Sequence, residues 1–229
     1  MKQAAGSQMS SARFPAAKAA PGTRLEQIRG KALELFAERG FAEVGMRELA
    51  LHLGMGAGSV YHHFESKEQL LFELIEELYE DLLDAALLSD KGAVHGRLQA
   101  LLRAHIALHE HRGLHFLMAE REYRCLSPQH QGQIQQMRGR YEEKLLARLL
   151  EAGASGPLPV LKATVQAVVA WLNNLPAWLD QSGLSRAQRQ EVIGAIVLGS
   201  LSGVLKQPSA AADGATVVPL RVPGASLRG

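Results

Sequence analysis

Ser59, Tyr61, His62 and His63 fall within five residues of one another, interleaved with Val60 and Phe64, which stand four apart. On a short helix that spacing lets Val60 and Phe64 pin one face, and it leaves a hydroxyl, a phenol and two imidazoles on the others. Just upstream, Leu49, Ala50 and Leu53 give a second short helix one apolar face, and Gly54 follows at once. Glycine adopts the left-handed conformation that commonly ends a helix at little cost. Two short helices and a tight turn, the second with a small, polar and aromatic outer face, suit insertion into a DNA major groove. Adjacent histidines at such a face would hydrogen-bond phosphate or base, neutral spacers being the alternative. Tyr61 has a packing alternative, and Phe64 is read as packing.

The elements that must hold this motif are helical. Leu and Ala dominate, β-branched residues are scarce and period-2 alternation is nearly absent, which predicts an all-α fold of about nine helices. The first helix is expected over 23–39, with Thr23 as N-cap, Leu25, Ile28, Ala32, Leu33 and Phe36 as its stripe, and Gly40 as its stop. The second and third make the motif. A fourth opens on a Ser66/Gln69 capping box and runs to about residue 88 with Leu70, Leu71, Leu74, Leu78 and Leu82 inward. A fifth reaches about His109, a sixth covers 114–123, and a seventh starts at Ser127-Pro128, with Tyr141 on its buried face. After Gly156-Pro157-Leu158-Pro159, an eighth runs to about residue 181 with a kink or break at Pro176; a ninth follows a Ser185/Gln188 capping box.

The expected domains are a flexible basic tail over 1–22, a DNA-binding unit over 23–67, a larger helical unit over 68–206 and a disordered tail over 207–229. The net charge of +2 is unevenly spread: nine Lys or Arg against six Asp or Glu up to Lys67, then seven acids and no base over 68–84. The N-terminal end is the phosphate-facing end on this reading, a solvated basic surface being the alternative. One cysteine, no apolar leader and no stretch of ~20 apolar residues predict a cytoplasmic protein with no membrane span.

Ala37, Gly40-Phe41, Met46-Arg47-Glu48-Leu49-Ala50, Gly54-Met55 and Ser59-Val60-Tyr61-His62-His63-Phe64 followed by Ser66-Lys67 resemble the TetR family of bacterial transcriptional regulators. The resemblance is strong over 23–71 and architectural beyond. It implies an N-terminal three-helix DNA-binding domain and an all-α domain that binds a small-molecule effector and dimerises. It assigns Arg47 to base or phosphate contact, Ala57, Gly58, Ser59, Tyr61, His62 and His63 to the recognition helix, and Tyr61 and Lys67 to phosphates. Arg47 has a second reading, as an ion-pair partner of Glu43 or Glu48. Gly45 and Gly56 depart from the family, which often has Ser or Thr caps there; glycine costs only a few tenths of a kcal/mol.

The resemblance also places an effector pocket between the fourth and eighth helices. Trp171, Asn174 and Trp178, with Phe116, Met118 and Tyr123, are its candidate lining, although aromatic stripes at helical spacing are more often core. The pattern from Trp171 to Leu201 is similar to repressors of fatty-acid, steroid and aromatic catabolism, several of which respond to acyl-CoA thioesters. The ninth helix is apolar nearly all round and rich in small residues, so it must be buried on more than one side. By resemblance the eighth and ninth helices form a homodimer interface, and a two-fold dimer implies a palindromic double-stranded operator.

Two rivals remain. His105, His109, His111 and His115 have i, i+4 spacings that can hold a metal, with Arg112-Gly113 interrupting the helix between the pairs; the alternative is a polar helix end. An enzyme would need catalytic machinery, and the chain has no Gly-rich phosphate loop to hold a cofactor, no nucleophile elbow and no His-Glu-x-x-His. The reading is therefore a non-enzymatic, effector-responsive dimeric repressor in which ligand moves the fourth helix and respaces the DNA-binding heads.

Overall fold

The structure is a computed structural model that describes residues 23–90, 93–179 and 182–205; both expected tails lie outside the described residues. Among them are eight α-helices: α1 (Arg24–Arg39), α2 (Met46–His52), α3 (Ala57–His63), α4 (Lys67–Ser89), α5 (Val94–Arg121), α6 (Pro128–Glu151), α7 (Leu158–Leu179) and α8 (Arg186–Leu205), with a 3₁₀ turn at Tyr123–Cys125. None is long and apolar enough to cross a membrane.

Capping explains most of the boundaries. Thr23 and Glu26 form a reciprocal capping box at α1, and Gly40, at φ +86°, ends that helix. Ser185 and Gln188 do the same at α8. At α4 the box is half made. The Ser66 hydroxyl accepts the Gln69 amide at 2.9 Å, but the Gln69 side chain donates to Glu73 one turn along instead of reaching back.

Two expected breaks do not end helices. The fifth and sixth predicted helices are one helix, α5, kinked where Arg112 leaves helical geometry (φ −121°, ψ 16°). Its guanidinium is held by Asp81 at 2.5 Å, while Phe116 and Met118 beyond the kink are buried, so packing carries the helix past Gly113. Likewise α7 continues through Pro176 to Leu179, with the proline in its last turn.

The chain forms two compact units, the first from residues 1–77 and 114–132 and the second from 78–113 and 133–229, so α4, α5 and α6 each contribute to both. The core of the first is Ile28, Ala32, Phe36, Phe41, Leu49, Val60, Phe64 and Leu71, with Phe36 and Phe41 edge to face at 5.2 Å. Each of these side chains larger than alanine contributes about 1.5–3 kcal/mol on burial. In the second, Leu101, Tyr141, Leu145, Val169, Leu172 and Val197 are buried at or near zero exposure.

Candidate nucleic-acid interface

The turn between α2 and α3 is built from backbone hydrogen bonds that only a glycine permits cheaply. Met55 N–H donates to Ala50 O at 2.9 Å, Gly54 N–H donates to Leu51 O at 3.0 Å, and Gly54 sits at φ +66°. This double closure fixes where α3 starts relative to α2. Val60 (1 % exposed) and Phe64 (2 %) then bury one face of α3. Gly58, Ser59, Tyr61, His62 and His63 are exposed, Tyr61 by 53 %. The Ala57 side chain lies outside the described residues; its backbone opens α3.

Arg47 is exposed on α2. Of the acids proposed as its partners, Glu48 is engaged by Arg39 at 2.5 Å. The arrangement therefore presents hydrogen-bonding groups and one guanidinium to solvent from two short helices backed by a rigid apolar core. Such a surface can bind an anionic polymer.

Lys67 is placed differently. Its ammonium donates to Phe41 O and Val44 O at 2.6 Å each and lies 4.2 Å from the centroid of the Phe41 ring. Its neighbour Glu68 accepts Ser127 N–H at 2.7 Å and pairs with His130 Nδ1 at 2.8 Å; the His130 ring stacks on Phe72 at 4.0 Å. Burial alone would raise the Glu68 pKa, but the Ser127 amide and His130 outweigh it and hold the carboxylate below its ordinary value.

In the second unit a polar cluster lies inside an apolar bundle. His105 is fully buried, its Nδ1 is 2.7 Å from Tyr141 Oη, and its ring stacks on His109 at 5.9 Å. Asn173, 4 % exposed, hydrogen-bonds His105, and His109 donates to the Leu172 carbonyl. Residue 176, four past Leu172, is a proline with no N–H, so the Leu172 carbonyl has no helical donor and His109 supplies one. Desolvation, then the neighbouring His109, push the His105 pKa well down; desolvation lowers His109 to about 4 and raises the Tyr141 phenol. The cluster is a neutral donor–acceptor set.

The histidines weighed as metal ligands are not gathered. His105 is committed to Tyr141, His111 is exposed, and His115 lies 3.8 Å from Glu77, both of these in the first unit. Among the described residues, no three His, Cys, Asp or Glu are grouped to hold a metal. The expected effector lining divides between the two units. Phe116 and Met118 are core of the first unit, and the Tyr123 hydroxyl donates to Gln131 O at 3.1 Å. In the second unit Trp171 is 41 % exposed, Asn174 donates to Ala170 O in its own helix at 2.9 Å, and the Trp178 side chain lies outside the described residues.

The family model for bacterial regulatory proteins of the tetR family matches residues 28–74, and that for the tetracyclin repressor-like C-terminal domain matches 91–201. The chain belongs to the TetR family. A TetR-family chain is a helix-turn-helix transcriptional regulator and not an enzyme, so α2, the Gly54 turn and α3 are the helix-turn-helix. Among curated relatives, the HTH-type transcriptional repressor KstR2 of Mycolicibacterium smegmatis is 28% identical over 142 residues, which cover 59% of this chain and 67% of that protein.

Among solved structures, the ketosteroid transcriptional regulator KstR2 of Mycobacterium tuberculosis has a TM-score of 0.68 at 24% identity, covering 81% of this chain and 96% of that one. AibR, solved with isovaleryl coenzyme A and operator DNA, has a TM-score of 0.65 at 22% identity, covering 76% and 97%. At these identities the two structural likenesses are likenesses of fold.

Sequence reasoning missed two things at these sites. Asn173, not Asn174, is the buried amide; it lies four residues past buried Val169, so helical phase on Val165, Val169 and Leu172 carried the signal. The grip of Lys67 on Phe41 and Val44 left no signal, because its acceptors are backbone carbonyls, which every residue has.

Proposed function

We propose that this TetR-family regulator is a dimeric, effector-responsive repressor that places α3 in the major groove of a palindromic operator. The observation that carries the reading is the division of α3: Val60 and Phe64 are buried while Ser59, Tyr61, His62 and His63 stand in solvent beside Arg47. Arg47 and Tyr61 suit phosphates or base edges, and Ser59, His62 and His63 suit base edges, with Ala57 and Gly58 allowing close approach. The DNA-binding domain then comprises residues 23–67, and residues 68–206 bind effector and dimerise, in the cytoplasm.

Dimerisation is supported by a stripe on α8. Val192, Ala195, Ile196, Gly199, Ser200 and Gly203 recur at i, i+3, i+4, i+7, i+8 and i+11 and are all exposed. On α7, Val160, Ala163, Ala167 and Trp171 are exposed at matching spacing. An apolar face on two neighbouring helices is what a two-fold partner would cover. Such a dimer holds its recognition helices about one DNA turn apart, ~34–36 Å or somewhat more.

The effector is a hydrophobic small molecule with a neutral oxygen, such as the carbonyl of an acyl-CoA thioester or a ketosteroid. The buried neutral set of His105, His109, Tyr141 and Asn173 suits that chemistry. AibR, similar in fold, was solved with isovaleryl coenzyme A and operator DNA. Ligand there would shift α4, which runs into both units, and lower operator affinity.

The test is fluorescence anisotropy on a duplex selected by the chain from a random-sequence pool, with a panel of acyl-CoA thioesters and a 3-ketosteroid. Tight, salt-sensitive binding to an inverted repeat, weakened by one of these compounds, is the expected result. Binding that none of them changes would remove the effector class, and a selected site without two-fold symmetry would remove the dimer.

A further inference from the structure

We propose that Lys67 is a positioning residue for DNA recognition: its ammonium fixes the 41–44 turn, and through it α2 and Arg47, instead of neutralising a phosphate. The inference rests on the DNA-binding reading above. Its first support is geometric. An ammonium has three N–H donors, and here two are spent at 2.6 Å on Phe41 O and Val44 O, with the Phe41 ring 4.2 Å away. A phosphate is left only the third donor, and could take more of this lysine only by breaking charge-assisted hydrogen bonds already made.

A second and independent observation concerns the start of α2. Its N-cap is Gly45, which makes no side-chain cap, so no local side chain fixes how the chain enters this seven-residue helix. Val44, whose carbonyl Lys67 grips, is the residue just before that cap. The contact from α4 thus restrains the entry to α2 through the carbonyls before the cap, where a serine at position 45 would restrain it by accepting from the first amides of the helix. Short helices draw their stability from such contacts, since α2 is far below the length at which a helix persists alone.

The lysine is itself braced. Glu68 ties the same turn of α4 to the start of α6 through Ser127 N–H at 2.7 Å and His130 at 2.8 Å. Two adjacent residues of opposite charge therefore hold two backbone targets, the helix-turn-helix lead-in on one side and a helix start on the other. Losing the first grip lets Arg47 swing while α3 keeps its own buried anchors, Val60 and Phe64.

The experiment uses the full chain as wild type, Lys67→Met, Gly45→Ser and the double variant. Methionine keeps an unbranched apolar stem and removes the donors. Gly45 has extended backbone (φ −83°, ψ 158°) and nothing within 4 Å of an added Cβ, so serine fits and can cap α2. Hydrogen exchange of the DNA-free chain is measured over residues 41–53, together with affinity for a duplex the wild type selects from a random pool, across salt. In Lys67→Met, exchange of this segment speeds up at least tenfold. DNA binding weakens by about tenfold at every salt with an unchanged slope, and Gly45→Ser restores most of both.

The opposite pattern overturns the proposal: exchange unchanged in the free chain, a salt slope smaller by about 0.9, and no rescue by serine mark a phosphate ligand. A wild-type chain that selects no duplex sinks the DNA reading by itself, and the exchange and rescue results then still decide whether Lys67 holds α2.

Discussion

The molecule carries two histidine pairs in opposite surroundings. His62 and His63 stand in water at the end of α3, on a helix held from behind by Val60 and Phe64. His105 and His109, one turn apart on α5, are folded into the second unit, stacked on each other and bound to Tyr141 and the Leu172 carbonyl. The same side chain faces solvent in one place and is a neutral, hydrogen-bonded part of the interior in the other. Burial and partners decide which, because an apolar interior penalises the imidazolium while water does not.

The largest effect expected lies in the buried pair. Tyr141→Ala should cost about 3–5 kcal/mol in urea unfolding, because it opens a cavity at a fully buried ring and strips His105 of its partner. A loss below about 1 kcal/mol would mean the cluster is not part of the folding core.

Next comes acid. The unfolded imidazole binds its proton near its ordinary value of 6.5, whereas folded His109 does so only near 4, so the unfolded state takes up more protons between those values. Stability is therefore at full strength above pH 6.5 and falls as pH drops to about 4, by about 3 kcal/mol from His109. Urea titrations across this window check the fall, and His109→Gln should flatten it.

The exposed face should behave oppositely. Tyr61→Ala and Arg47→Ala are each expected to weaken DNA binding by about 1–3 kcal/mol while moving stability by less than about 0.5. Anisotropy titrations read with thermal melts separate the two quantities, and a variant that lost stability and kept binding would erase the contrast. The smallest effect is at the turn that aims α3. Gly54→Ala, forced into φ +66°, should cost about 1 kcal/mol of stability in the same urea assay.

This contrast was half legible in the chain. The outward face of α3 follows from local spacing, since Val60 and Phe64 recur at i, i+4 and Gly54 supplies a turn that other residues adopt with strain. The stripe of Leu70, Leu71, Leu74, Leu78 and Leu82 on α4 was readable for the same reason, and all five are buried. Tyr141 was placed correctly on the buried face of its helix, but its partner His105 lies 36 residues away, a pairing that periodicity on one helix does not encode.

The continuity of α5 across Arg112-Gly113 escaped for a related reason, whereas α7 runs through Pro176 as the eighth helix was expected to. Local propensity favours a break at both, and Asp81 and packing beyond the kink at one, and the position of the proline in the last turn at the other, let the helices continue. Asn174 was chosen over Asn173 because adjacent amides are chemically alike and only helical phase separates them.

The most direct test of the account combines Tyr61→Ala, His62→Ala and His63→Ala and measures affinity for the duplex that the wild type selects from a random pool. All three side chains are exposed, so helicity by circular dichroism and the melting temperature should stay within error of wild type. The account predicts that affinity falls at least a hundredfold. A triple variant that binds the duplex as tightly as wild type would contradict it, and the recognition surface would have to be sought elsewhere.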